Sequence, residues 1–413
     1  SPDVYRRTVR DLPSGQSITI SNDLVADFLP GTGSISVAAS PVGAIDVPAL
    51  LQALDRYPYG CTEQTVSRAL PLLYVNQLAT VNLLALDGDL RQRIQAAIDK
   101  VLSRQDASGS FGLWSSESSD DLWLDAFVTD FLTRARESNY EIPQRSFDQA
   151  LDRLRNQVVN ANDVSSANSS PIAYAIYVLA RNGRPVMGDL RYLADTKMEA
   201  FTTPLARAQL AAALALLGDR GRATAAFEAA SRLLVSAQRT RFSRADYGSL
   251  LRDSAGLLAL AAETNAGDAL LTRAAMTVQQ ERGVTRFTST QENTWMVLAA
   301  TAMTKQAQTM ALPIDGQPHQ GAYFRTWRGF ALEGRELRIG NEGQSVAQVV
   351  ITTSGQPSVK EPAETQGYQV ERNYFTLDGK PADLAAIRQN ERLVVTLKVT
   401  ELEAAYARLL LVD

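Results

Sequence analysis

The residues best suited to chemistry gather in one short stretch, Tyr57-Pro-Tyr-Gly-Cys61-Thr-Glu-Gln64. Pro58 and Gly60 disfavour a helix before Cys61, the first by its locked φ and missing N–H, the second by its backbone entropy. A helix is expected at or just after Cys61, with Thr62 as candidate cap and Glu63 favourable at the positive end. Cys61 and Gln64, three residues apart, then share one helical face. A thiol and a carboxamide held together in this way can condense. Loss of ammonia gives an internal thioester, an acyl group activated towards nucleophiles. Such a bond lasts only where water is kept away, and Tyr57, Tyr59 and the apolar run 70–75 are the candidate shield. The spacing alone leaves a second reading open, in which a lone Cys packs as a small hydrophobe.

Scarcity narrows the other possibilities. The 413 residues contain one Cys, Cys61, and one His, His319. An intramolecular disulfide and a Cys₂His₂ zinc site are both excluded. A Ser-His-Asp or Cys-His site has only His319 to draw on. Absence of cystines favours a bacterial or intracellular source. Lys and Arg total 41 against 45 Asp and Glu, a formal charge of −4, so no general basic field addresses nucleic acid. The longest apolar stretches, such as 205–217, are too short or too interrupted to span a bilayer. The chain begins Ser1-Pro2-Asp3 without Met and is expected to be a fragment.

The elements that position Cys61 follow from periodicity. Residues 1–40 read as short strands: Gln16-Ser-Ile-Thr-Ile20 and Ser34-Ile-Ser-Val37 alternate polar and apolar residues. From Pro48 to about Gln306 the chain is rich in Ala, Leu, Arg and Gln, all good helix formers. Apolar residues recur at three- and four-residue spacing, as in Ile94, Ile98, Val101 and Leu102, or Leu210, Leu214 and Leu217, or Trp295, Leu298, Ala299 and Met303. Breakers at Asp87-Gly88-Asp89, Ser108-Gly109, Asn182-Gly183-Arg184-Pro185, Gly218-Asp219-Arg220-Gly221 and Arg282-Gly283 divide the block into about ten to twelve helices. Short turns make neighbours antiparallel, and the hairpins are expected to close on themselves, since no fixed-period repeat marks an open solenoid. After about Ala311 strand patterns return at 336–339, 345–353, 368–375, 392–399 and 406–412. The first β segment is too small to fold alone, so the simplest arrangement is a β domain interrupted by an inserted helical one. A further β domain is expected to start near Pro362.

Several stretches resemble one family, in the same order along the chain. Tyr57–Gln64 resembles the Gly-Cys-x-Glu-Gln thioester motif of the alpha-2-macroglobulin and complement family, and its Tyr-Pro-Tyr-Gly-Cys form resembles the bacterial alpha-2-macroglobulins. Gly109-Ser-Phe-Gly-Leu-Trp114, followed by 121–132, resembles the family's Gly-Gly-Phe-x-x-Trp helical segment. Phe287-Thr-Ser-Thr-Gln291-Glu-Asn-Thr-Trp295 is similar to its Ser-Thr-Gln-Asp-Thr segment. Residues 367–399, which include Asp378-Gly-Lys-Pro381, resemble the start of the β-sandwich that follows the thioester region.

The resemblance implies an α+β multidomain fold. An all-α thioester domain, an α/α toroid, is inserted in a CUB β-sandwich, and a macroglobulin-like β-sandwich starts at the C-terminus. The implied boundaries are 1–46 and 307–361 for the CUB sandwich, 47–306 for the toroid and 362–413 for the last β domain. It also implies a protease trap. A protease cuts a bait region, the molecule rearranges, and a Lys amine on the protease attacks the Gln64 carbonyl while Cys61 leaves as thiolate. This is single use rather than enzymatic turnover. The implied partners are target proteases, bound covalently through surface Lys, and the other domains of a much larger inhibitor. No cofactor and no metal are implied. Resemblance to bacterial members places the protein in the periplasm, tied to the inner membrane through an anchor outside this chain. The vertebrate motif often has Gly where Thr62 stands, a position that contributes no reacting atom. Family members that prefer hydroxyl targets use a His in the thioester domain. None lies in 47–306, which favours amines.

Other features have plainer readings. Ser115-Ser-Glu-Ser-Ser-Asp-Asp121 offers oxygen ligands but lacks calcium-loop spacing, so a solvated turn and helix cap is expected. Trp114, Trp123 and Trp295 can line a pocket, and more often fill a helical core. The Arg-rich run 239–244 can bind phosphate, and more often forms a solvated face. Competing functions are a toroidal α/α glycosidase, which needs paired inward carboxylates, a cysteine acyltransferase, which needs Cys61 near His319, and a helical scaffold without chemistry.

Overall fold

The computed structural model describes residues 3–40, 45–55, 59–74, 90–118, 120–161, 163–237, 244–285, 288–303, 308, 310–332, 334, 336–344, 346–359, 365, 367–402 and 411. Tyr57, Val75, Asp87-Gly88-Asp89, Ser119, Arg239 to Ser243, Phe287 and nearly all of the strand expected at 406–412 lie outside these residues. Contacts divide the chain into two compact units, one of Ser1–Arg239 with Arg244–Ser358 and one of Val359–Asp413 with Thr240–Ser243.

In the first unit, strands from both ends of the sequence make one sheet. β1 (Val4–Leu12), β3 (Ser34–Ser40), β4 (Tyr323–Arg328) and β6 (Ala347–Gly355) lie in the order β1-β6-β3-β4, every neighbour antiparallel. β2 (Ser17–Ser21) pairs with β5 (Glu336–Gly340), Thr19 opposite Arg338. Alternation works as the patterns require. Ile35, Val37 and Ala39 of β3 point into a core with Val349, Ile351, Leu337 and Ile339, while Ser34 and Ser36 on the opposite face are buried among hydroxyl partners. β4 has no such alternation. All but one of its side chains are half-buried, so neither face is clean, and its Tyr-Phe-Arg-Thr-Trp-Arg sequence is rich in strand formers but lacks a polar–apolar alternation.

Twelve α-helices among the described residues separate the two groups of strands. They are α1 (Val47–Asp55), α2 (Thr62–Ala69), α3 (Leu90–Leu102), α4 (Leu122–Glu137), α5 (Gln144–Val159), α6 (Ser169–Arg181), α7 (Met187–Thr196), α8 (Pro204–Leu216), α9 (Arg220–Ser236), α10 (Leu250–Glu263), α11 (Asp268–Val284) and α12 (Thr290–Ala302). Asp46 carries the chain from β3 into α1, accepting from the Ala49 N–H at 3.2 Å and the Ser36 hydroxyl at 3.3 Å.

Composition decides which helices lie inside. α4, α8, α10 and α12 have long runs buried on every side, and α8 is buried from Pro204 to Leu214. The helices α3, α5, α9 and α11 bury one stripe each, such as Phe147, Ala150, Leu151, Leu154 and Val158 of α5. The even-numbered helices pack in succession, α2 on α4, α4 on α6, α6 on α8, α8 on α10 and α10 on α12, and α12 packs on α2. Their common core holds Phe127, Phe131, Tyr174, Tyr177, Leu210, Leu258 and Trp295.

The second unit contains β7 (Tyr368–Phe375) and β8 (Val394–Glu401), an antiparallel pair with Tyr368 opposite Glu401 and Phe375 opposite Val394. Leu377 and Val370 are more than half exposed there.

Candidate functional site

The backbone turns into α2 at Cys61 itself. Cys61 has extended backbone angles (φ −63°, ψ 170°) and is the N-cap, the position anticipated for Thr62. Its Sγ accepts from the Gln64 N–H at 3.5 Å, and Gln64 Oε1 accepts from the Cys61 N–H at 3.2 Å. This is a reciprocal capping box in which a thiol and a carboxamide replace the usual hydroxyl and carboxylate. The helix start therefore satisfies its own orphan N–H groups by holding the two candidate reactants against each other.

Thr62 ties the box to the loop before α4 instead of capping. Its N–H donates to the Leu113 carbonyl at 2.8 Å and its hydroxyl to the Gly112 carbonyl at 2.6 Å. Arg104, just past α3, donates to Thr62 Oγ1 at 2.9 Å, the Gly60 carbonyl at 3.0 Å and the Leu113 carbonyl at 3.3 Å. The loop is itself anchored. Asp125 of α4 accepts from the Phe111 N–H at 2.7 Å and from the Ser110 hydroxyl, and burial pushes its carboxyl up to about 6. Gly109 sits at φ +90°, and any Cβ there collides with the Gln149 carbonyl of α5.

Glu63, 3% exposed, faces the opposite way. Its Oε1 accepts from Ser67 (2.7 Å), Thr290 (2.9 Å) and Gln291 Nε2 (2.8 Å). Thr294 adds a bond to the Ser67 carbonyl at 2.9 Å. Thr290 and Gln291 open α12, whose own capping box joins Ser289 and Glu292. The three motif stretches, 59–64, 109–114 and 289–295, are thus hydrogen-bonded together, although 227 residues separate Glu63 from Thr290.

Cys61 is 5% exposed, Gln64 half-buried and Tyr59 41% exposed. Burial pushes the Cys61 thiol up, and the Glu63 carboxylate adds to this, while the Gln64 and Glu63 N–H groups and Arg104 pull it down. A nucleophilic Cys needs the reverse, a depressed pKa. His319 lies edge-on to Tyr323, with Nε2 3.2 Å from the Ala322 carbonyl. Elsewhere in the helical region carboxylates pair with cations: Asp130 and Glu263 with Arg134, Asp253 with Arg244 and Arg252.

Two expectations for other residues need correction. Trp123 and Trp295 are core residues, 3% and 0% exposed, whereas Trp114 is 61% exposed because it follows the loop out beyond Leu113. Arg244 is not on a solvated face: it reaches Asp246 at 2.5 Å and Asp253 at 2.7 Å. Asp121 caps α4 through the Trp123 and Leu124 N–H groups, and Asp120 pairs with Arg153 at 2.6 Å. Arg104 carried no sequence signal for the site, and Asp125 lay in a stretch that resembled the family without being singled out. The acidic first turn of α4 only marked a helix start.

Residues 35–162 match the family model described as "A-macroglobulin TED domain". The alpha-2-macroglobulin of Escherichia coli is 29% identical over 94% of this chain and 24% of its own length. A crystal structure of native Escherichia coli alpha-2-macroglobulin, from domain MG7 to the C-terminus, matches with TM-score 0.78 and 27% identity, over 97% of this chain and 64% of that one. Salmonella alpha-2-macroglobulin reacted with methylamine matches with TM-score 0.78 and 29% identity, over 97% of this chain and 27% of that one. This chain spans about a quarter of the length of the curated relatives it matches.

Proposed function

Because the chain is related to the bacterial alpha-2-macroglobulins over the C-terminal part of their sequence, we propose that it is the reactive portion of a covalent protease trap. The carrying observation is the Cys61–Gln64 capping box, which aligns a buried thiol with a carboxamide. Condensation joins Cys61 Sγ to Gln64 Cδ and releases ammonia. The Cys61 N–H already donates to Gln64 Oε1, so it polarises the acyl carbonyl and stabilises the oxyanion when an amine attacks. The amine nitrogen bonds to Cδ, the Cδ–Sγ bond breaks, and the sulfur leaves with the electron pair. A thiol raised by burial suits this role. It stays in the acyl bond until attacked instead of acting as a free thiolate.

In the full-length protein the attacking group is a surface Lys of a protease, and each molecule reacts once. The absence of a His from 47–306 favours amines over hydroxyls. The return of α12 to α2 supports an α/α toroid over about 47–306. The pairing of β1 and β3 with β6 supports an interrupted CUB sandwich over 1–46 and 307–361. The β7–β8 pair supports a macroglobulin-like β domain from 362. No helix among the described residues is long and apolar enough to cross a membrane. Periplasmic placement with an anchor outside the chain follows the bacterial relatives. One of the similar structures is of a protein reacted with methylamine, which suggests the test.

Intact mass and thiol titration are measured before and after methylamine. The expected native protein is lighter by one ammonia, without free thiol, and methylamine releases one thiol and modifies Gln64. A titratable Cys61 beside an unmodified Gln64, both before and after, overturns the reading and leaves a scaffold or a thiol enzyme. A free thiol with Glu at position 64 identifies a bond that formed and was hydrolysed.

A further inference from the structure

We propose that Arg104 is a positioning residue for this reaction: its guanidinium clamps the backbone on both sides of Cys61 and supplies the positive charge that the departing sulfur meets. The proposal rests on the thioester reading and adds the group that assists the leaving step. Three acceptors define the clamp: the Gly60 carbonyl before Cys61, the Thr62 hydroxyl after it, and the Leu113 carbonyl that also receives the Thr62 N–H. A planar fork reaches several acceptors at once, which a Lys ammonium on a flexible stem does less well. The peptide that sets the Cys61 side chain is thereby fixed from one cation.

The charge itself has a second use. When the amine attacks Gln64 Cδ, the Cδ–Sγ bond breaks, the electron pair goes to Sγ, and the amine proton passes to solvent and then to sulfur. Negative charge therefore grows on Cys61 in the transition state. Burial and the Glu63 carboxylate oppose that charge, and the Gln64 and Glu63 N–H groups and the Arg104 guanidinium favour it. The hydroxyls and amide on Glu63 keep its carboxylate turned towards α12. Lys100, one turn earlier on α3, hangs over Gly60, its Nζ 2.8 Å from where a Cβ would stand. It is exposed, so solvent screens it. Arg104 is only half-exposed.

The experiment compares the full chain with Arg104→Gln, Arg104→Lys and Lys100→Gln. Three quantities are read: the fraction lighter by one ammonia, the second-order rate of methylamine reaction, and the apparent pKa of the freed Cys61 thiol from the pH dependence of alkylation. Arg104→Gln is expected to slow methylamine about three- to ten-fold and to reduce the thiolate fraction at pH 7 by a similar factor. Arg104→Lys keeps the charge and is expected to recover most of both, with a lower melting temperature from the lost fork. Lys100→Gln is expected to change the rate less than about two-fold. Equal rates and equal thiol pKa in Arg104→Gln and the parent overturn the proposal and leave Arg104 a strut. A loss in Arg104→Lys as large as in Arg104→Gln overturns the charge role as well. The thiol pKa can be read whether the bond is intact or hydrolysed. Where Arg104→Gln does not fold, the Lys variant against the parent decides. If the parent itself holds an unreacted Cys61 and Gln64, the functional reading fails, a result distinct from any of these.

Discussion

Two buried polar clusters hold the helical region together in different ways. Around Arg134 of α4, charge does the work: its guanidinium meets Asp130 at 2.8 Å and Glu263 of α10 at 2.8 Å, and Tyr177 of α6 at 2.9 Å. Burial pushes Glu263 up, yet Arg134 and Arg181 pull it below its ordinary value. Around Glu63 no cation takes part among the described residues. A single carboxylate oxygen collects two hydroxyls and an amide from α2 and α12. Ion pairs in the interior tolerate no missing partner, because the survivor is a desolvated charge. Neutral donors set geometry with less at stake per bond, and on the other side of Cys61 the Arg104 guanidinium holds the Gly60 and Leu113 carbonyls and the Thr62 hydroxyl. The lesson is a division of labour: ion-pair clusters such as that of Arg134 hold the helices, while neutral donors and Arg104 set the position of the capping box.

The comparison is most easily broken at Arg134. Arg134→Met leaves the buried Asp130 carboxylate without its cation, while Glu263 keeps Arg181 at 3.0 Å, and is expected to cost about 3–5 kcal/mol in urea unfolding. The thioester content of whatever remains folded stays that of the parent. A cost below about 1 kcal/mol would show that this cluster is dispensable.

A second ion-pair cluster gives a pH test. Arg252 and Arg244 hold Asp246 down to about 2, against burial, which pushes it up. Its folded value is depressed, so its stabilisation is complete above the unfolded value near 4 and disappears as pH falls from 4 to 2. The expected loss is about 2 kcal/mol, followed by unfolding at stepped pH, and Asp246→Asn should flatten that part of the profile. An unchanged profile would remove Asp246 from the account.

Glu63→Gln replaces an oxygen that serves three donors with a group that is half donor. It is expected to cost about 1.5 kcal/mol. The more telling readout is chemical, a smaller fraction of protein lighter by one ammonia. A full thioester yield would separate the α12 contact from the reaction. The smallest effect is expected in the second unit, where Lys398 meets Glu371 at 3.6 Å on the exposed face of β7–β8. Lys398→Gln should move stability by less than about 0.5 kcal/mol, measured by thermal unfolding.

Much of the mixed helix-and-strand character could be read in advance. The 17–21 and 34–40 strands alternate, 368–375 is bounded by turn residues, and the helices carry their stripes and breakers at Asn182-Gly183 and Gly218. β4 escaped because a strand half-covered on both faces has no period of two. Trp114 was misplaced because residue type alone does not tell a core aromatic from one on a loop leaving the core. Cys61 as cap, in place of Thr62, escaped because the preferred caps are hydroxyl and carboxylate side chains, and a thiol is a weak acceptor.

The sequence by itself determined the local chemistry: a thiol and a carboxamide three residues apart, a Pro and a Gly that delay the helix, and apolar runs long enough to bury most of α4, α8, α10 and α12. Those are properties of neighbours along the chain, set by dihedral preference and helical pitch. Only the tertiary structure decided which distant groups surround Cys61. Thr62 meets Gly112, Glu63 meets Thr290, and Arg104 bridges Gly60 and Leu113. Those contacts depend on which helices pack together, and packing is fixed by the summed burial of many side chains rather than by any spacing near the motif.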